Sequence, residues 1–151
     1  MKHLIGLFIV ALSNFMAGSL HADECLLTLK VGDNLAFSQS EIDIPIRCEE
    51  FTITLSHEGS LPAAVMGHNF VVAKTKDIQS IQNDGNKVGP DGGYLKIDDE
   101  RVVVASSIVG GGESTTIMLK PNWLASSDEF SFFCTVMSHS VVMKGIIRAI
   151  D

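Results

Sequence analysis

The sequence predicts an all-β fold, an antiparallel β-sandwich of Greek-key type with one short helical insert around residues 74–88. Three observations carry this. Apolar and polar residues alternate with period two over short runs, most cleanly in Phe51-Thr52-Ile53-Thr54-Leu55, as a half-buried strand requires. Strong turn residues separate the runs, among them Gly32-Asp33-Asn34, Gly89-Pro90-Asp91-Gly92-Gly93 and Gly110-Gly111-Gly112. The length of 151 residues suits one domain with a core of its own.

The elements follow in order. Lys2, the apolar stretch Leu4 to Leu12 and the small residues after it form a secretory signal, with cleavage expected after Ser19 or Ala22. Residues 1–22 are therefore set aside as signal peptide, and 23–151 form the single domain. The apolar stretch is too short to span a bilayer, so no stable membrane insertion is expected. Glu24 to Val31 is a strand with Leu27, Leu29 and Val31 apolar. Ala36 to Ile44 is a second, with Ile42, Ile44 and Ile46 on one face and Pro45 marking an edge or a break. Phe51 to Leu55 is the third, and Val65 to Ala73 resumes strand character. Lys74 to Gln82 reads as a helix with Ile78 and Ile81 on one side, fraying at Asn83-Asp84-Gly85. Val102 to Val104, Thr115 to Leu119, Glu129 to Phe133 and Gly145 to Ile150 complete the strands.

Charge and cysteines narrow the function. The chain has 11 Lys+Arg against 18 Asp+Glu and no basic cluster, which excludes a nucleic-acid face. Three cysteines in an exported chain sort naturally into a Cys25–Cys48 disulfide near the start of the domain and a free Cys134. A free thiol in an oxidising compartment is a liability unless a metal protects it. Gly110-Gly111-Gly112 lacks the later glycine and helix of a nucleotide-binding loop.

The chemistry concentrates in the loop between the last two strands. Four residues separate Cys134 from His139, and three separate His139 from Met143. A short loop between strands can aim a thiol, an imidazole and a thioether at one point. His68, beside Gly67 at the start of a strand, supplies a second imidazole. Two histidines, one cysteine and one methionine match a trigonal His₂Cys copper site with a long axial Met. Cys134 with His139 as a nucleophile–base dyad would need an orienting group and an oxyanion pocket, and the hairpin offers neither. Zinc is a competing occupant, but an axial methionine would be odd for it. His57, just after a strand, is expected to be a satisfied histidine near the site and not a ligand.

The sequence resembles the azurins of the cupredoxin family. The matching pieces are Phe51 to His57, Leu61-Pro62, Val65-Met66-Gly67-His68-Asn69, Tyr94 to Lys96, Arg101 to Val103, Phe132 to Thr135, His139-Ser140 and Met143-Lys144-Gly145, with the Cys25/Cys48 pair alongside. The resemblance implies one type 1 (blue) copper per chain, with His68, Cys134 and His139 in a near-plane. It further implies Met143 as a weak axial ligand, the Gly67 backbone carbonyl as a distant one opposite, and Asn69 as the tie between the two copper-bearing loops. The family usually places an aromatic and then Pro-Gly between the Cys-Thr and the His; here the chain reads Val136-Met137-Ser138. The family's tryptophan after the His-Asn pair is Phe70 here.

The implied role is periplasmic electron transfer, cycling Cu(I)/Cu(II) through the edge of His139. Redox proteins such as c-type cytochromes or copper reductases and oxidases would dock on an apolar patch of Met66, Met137 and Val142. No second histidine cluster exists for another copper, so a carrier and not an enzyme is expected. A copper store or delivery protein using the same ligands is the alternative.

Overall fold

A computed structural model describes residues 24–151; the expected signal peptide, residues 1–22, lies outside them. The described residues form eight strands: β1 (Leu26–Val31), β2 (Glu41–Pro45), β3 (Phe51–His57), β4 (Val71–Lys74), β5 (Val102–Ala105), β6 (Ser114–Leu119), β7 (Phe130–Phe133) and β8 (Lys144–Ile150). They make two sheets, one in the order β1-β3-β6 and one in the order β2-β8-β7-β4-β5. The expected sandwich is present. Two pairings within it, β1 with β3 and β2 with β8, are parallel, and the other four are antiparallel. The cause lies in the connections: β2 leaves β1 for the opposite sheet, so β3 returns alongside β1 in the same direction.

The apolar alternation fills the space between the sheets. Leu29, Val31, Ile53, Leu55, Ile117 and Leu119 from one sheet meet Ile42, Ile44, Val72, Phe132 and Ile147 from the other. Each such side chain, fully buried, contributes roughly 1.5–3 kcal/mol. Phe70 stacks on Phe132 with ring centroids 5.6 Å apart and takes a full place in this core. Strand β7 is buried on both faces, which explains why Phe130-Ser131-Phe132-Phe133 does not alternate. Its second face joins Val71, Ala73, Phe133 and Ile81 in a smaller core beneath the helical insert.

The insert starts with a 3₁₀ turn over Thr75–Asp77 and continues as a helix over Ile78–Val88. We label it α2, because a one-turn helix, α1 (Ala63–Met66), precedes it. Two expectations are corrected here. Strand character begins at Val71, not Val65, because Ala63 to Met66 coil into α1. The second strand starts at Glu41, and Ile46 falls beyond its end with its side chain exposed. Helix α2 also runs on through Gly85, which faces the Tyr94 carbonyl so closely that an added Cβ would stand 2.1 Å from it. A glycine that reads as a helix breaker is thus a packing residue.

The expected disulfide between Cys25 and Cys48 is formed. It ties the start of β1 to the segment leading into β3.

Candidate metal centre

The site sits at one end of the sandwich, where two segments meet. The first links α1 to β4 and carries Gly67, His68 and Asn69. His68 is fixed by a two-residue bridge to Val109, with N–H···O distances of 3.0 and 2.8 Å in the two directions. The second is the loop from β7 to β8. Its base closes where the Cys134 N–H donates to the Met143 carbonyl at 3.1 Å, and the Met143 N–H donates to the His139 carbonyl at 2.7 Å. Because β7 and β8 are antiparallel neighbours, this loop must return on itself, and the return brings His139 back toward Cys134.

The three donors converge. Cys134 Sγ lies 3.8 Å from His68 Nδ1 and 3.6 Å from His139 Nδ1, and all three atoms lie within 4.8 Å of one another. Metal–sulfur and metal–nitrogen bonds of about 2.3 and 2.1 Å in a trigonal plane place sulfur and nitrogen about 3.8 Å apart. The donor set therefore fits a single ion. Met143 is buried in the same region.

The hydrogen bonds around the donors select which atom of each faces the centre. His68 Nε2–H donates to the Gly32 carbonyl at 2.9 Å, which leaves Nδ1 as the lone-pair atom. His57 stacks on the His68 ring with centroids 5.4 Å apart; its Nε2–H donates to the Met66 carbonyl, and its Nδ1 accepts from Gly59 N–H. It is a satisfied supporting histidine, as the sequence suggested. Asn69 clamps the two segments together: its Oδ1 accepts from Thr135 N–H and its Nδ2 donates to Thr135 Oγ1, both at 2.8 Å.

Burial shapes the protonation of the donors. It pushes the Cys134 thiol up to about 11, while the backbone N–H groups of Asn69 and Val136 beside the sulfur pull the other way. A metal must displace that proton to bind the thiolate. Burial, helped by the charge of nearby His68, holds His139 down at about 4, and burial likewise lowers His68. Both imidazoles stay neutral, the form that ligates. The N–H groups nearest the sulfur belong to Asn69 and Val136, so neither depends on the unusual Met137-Ser138 pair.

That pair departs from ordinary backbone. Met137 has φ 44° and Ser138 φ 68°, both left-handed. For residues with a Cβ this costs roughly 1–2 kcal/mol each. Helix α2 holds the loop: Gln82 Nε2 donates to the Thr135 carbonyl at 2.7 Å and Asn86 Nδ2 to Ser138 Oγ at 2.9 Å. The sequence reading missed these two residues. The available signal was Gln82 itself, a polar residue on the buried stripe that also carries Ile81 and Gly85.

Comparison with known proteins accords with this geometry. Copper-binding proteins of the plastocyanin/azurin family match over residues 23–149. The chain belongs to this family. It is 38% identical over 130 residues to the azurin of Bordetella pertussis, covering 86% of this chain and 87% of that one. It is 36% identical over 138 residues to the azurin of Pseudomonas aeruginosa, covering 91% and 93%. Among solved structures, the azurin Az-iso2 of the obligate methylotroph Methylomonas sp. strain J superposes with a TM-score of 0.80 at 32% identity, covering 84% of this chain and 98% of that one. The protein is thus a blue-copper electron-transfer protein of the cupredoxin type, and His68, Cys134 and His139 form its copper centre.

Proposed function

We propose that this chain is a periplasmic electron carrier, exported by its N-terminal segment, that meets soluble redox proteins at the loop bearing His139. The observation that carries this reading is the unequal exposure of the donors. His68 and Cys134 are fully covered, whereas His139 keeps 7% of its surface, and its Nε2 has no hydrogen-bond partner among the described residues. Around it, Met137, Val141 and Val142 stand exposed, at 47%, 68% and 61%. Met66 is only half buried. Among the described residues no helix is long and apolar enough to cross a membrane.

Copper, when bound, supplies a one-electron Cu(I)/Cu(II) couple. The chain's own part is to hold the donors still. Met143 and the Gly67 carbonyl would add weak further donors to the ion, while Asn69, Gly32 and α2 fix His68, Cys134 and His139. Rigid donors reorganise little between the two oxidation states, which keeps exchange fast. The partners are c-type cytochromes or copper-containing reductases and oxidases, meeting the apolar ring in a small transient interface, below about 1,200 Å². Full burial of the sulfur and one imidazole favours a retained ion over the alternative, a copper store or delivery protein. Nothing in this role transforms a substrate, so the protein acts as a carrier and not an enzyme.

The test is electron exchange with a c-type cytochrome by stopped flow, on copper-loaded protein with an intact blue band. Val142→Lys and Met137→Lys are each expected to slow the second-order rate about tenfold or more, with the band unchanged. Rates equal to the parent chain's would place docking elsewhere. Cys134→Ser must abolish the blue band; its survival would overturn the copper assignment.

A further inference from the structure

The outer face of the five-stranded sheet holds a second feature, separate from the copper donors. A cavity of about 620 Å³ opens between the start of α2, the β2–β8 edge and the back of the copper-bearing loop. That volume is in the range of small-molecule sites. Its charge is unusual for a chain of formal net charge −7. Lys76 and Lys144 both line it, and among the described residues neither forms an ion pair. The one carboxylate in its wall, Glu41, is already engaged by Arg148.

Two further donors face the same space. Ser140 lines the cavity, is 4% exposed, and its hydroxyl has no hydrogen-bond partner among the described residues. That hydroxyl is free to donate to a molecule held in the cavity. The N-terminus of α2 is the other: Ile78 and Gln79 border the cavity, and Asp77 makes no side-chain capping bond there. The positive end of the helix favours an anion. Thr75 and Ser131 add nothing, because their hydroxyls satisfy each other at 2.8 Å. The rest of the wall is apolar where Ile78, Val141 and Ile146 meet.

We infer that this cavity binds a small organic carboxylate, its head between Lys76, Lys144 and the Ser140 hydroxyl and its short apolar chain against Ile78, Val141 and Ile146. Ser140 directly follows His139, so occupancy bears on the copper-bearing loop without adding a ligand to it.

The test is an ¹⁵N NMR titration of the copper(I)-loaded, diamagnetic protein with hexanoate and, separately, with the neutral amide hexanamide. Hexanoate is expected to give saturable shifts at Thr75 to Gln79, Ser140, Val141 and Lys144 to Ile146, and hexanamide none there. In the double variant Lys76→Gln/Lys144→Gln, the hexanoate Kd is expected to rise about tenfold or more, since hydrogen bonds to charged groups are lost. Ser140→Ala is expected to raise it a few-fold. Both variants are checked for an intact blue band, so that misfolding is not read as lost binding. Absence of saturation at tens of millimolar, equal binding of hexanamide, or a Kd unmoved by removing both lysines would each overturn the inference.

Discussion

Removing the Asn69 side chain probes how the two copper-bearing segments are held. In Asn69→Ala, two buried hydrogen bonds to Thr135 disappear. Each contributes about 1 kcal/mol net, and the Thr135 N–H, left buried with no acceptor, adds about 1–3 kcal/mol. The expected loss is therefore roughly 3–5 kcal/mol. For a domain of this length it corresponds to a fall in Tm of roughly 12 °C or more. The assay is urea unfolding of the copper-free protein, with the slope compared between variants so that a midpoint shift reads as stability. Thr135→Val spares the N–H···Oδ1 bond and is expected to cost less, about 1–2 kcal/mol. The double variant is expected to cost less than the sum, because the two side chains share one interaction. A loss below about 1 kcal/mol for Asn69→Ala, or strict additivity of the pair, would show that the clamp does not hold the segments together.

Four further outcomes follow from the same structure. Replacing Cys25 and Cys48 by serine opens a loop with a sequence separation of 23. It is expected to cost about 3.4 kcal/mol by chain entropy, read in the same urea assay; a loss under about 1 kcal/mol would mean the denatured chain is already restrained there. Met137→Pro is expected to destabilise the protein by roughly 1–3 kcal/mol, since proline cannot take the φ of 44° found here; a Tm equal to the parent's would contradict that loop conformation. Gly67→Ala puts a Cβ 2.3 Å from the Ala63 carbonyl oxygen and 2.7 Å from Ile108 Cγ2, so α1 must shift at a cost of about 1–3 kcal/mol; an unmoved blue band and Tm would deny this crowding. The acid limb of stability tests the Arg101 cluster. Lys87 and Arg101 hold Asp84 at about 2, and Arg101 lowers Asp99. Depressed carboxyl values stabilise the fold above the unfolded value near 4 and lose that contribution as pH falls toward 2. Arg101→Met is therefore expected to move the acid-unfolding midpoint to higher pH, and an identical profile would remove the cluster from the account.

Much of the fold was legible in the sequence because burial alternates where one face of a strand is wet. β3 shows this: Phe51, Ile53, Leu55 and His57 are buried while the residues between them are half exposed. Legibility failed where that contrast vanishes. Ala63-Ala64-Val65-Met66 is apolar throughout and too short to show a helical period, so its second half, Val65-Met66, reads as the start of the following strand. The parallel pairings were also hidden, because strand direction depends on which sheet each connection joins and not on local pattern. The donors were readable because thiol, imidazole and thioether at tight spacing have few other uses. Their supports were readable only in part, through Asn69 and His57. Gly32 contributes only a carbonyl to His68, and a backbone acceptor leaves no mark on residue type. Asn86 looks like an ordinary solvent-facing residue of a polar helix until the loop is seen against it, and only the place of Gln82 beside Ile81 marks it out.

The contact between α2 and the loop turns a peripheral insertion into a buttress. Evolution can lengthen, shorten or replace the segment between β4 and β5 while leaving every donor untouched. Each such exchange would alter the grip on the Thr135 carbonyl and the Ser138 hydroxyl, and with it the stiffness of the turn that presents His139. A chimera carrying a relative's insertion on this sandwich would keep its colour and change its electrochemistry.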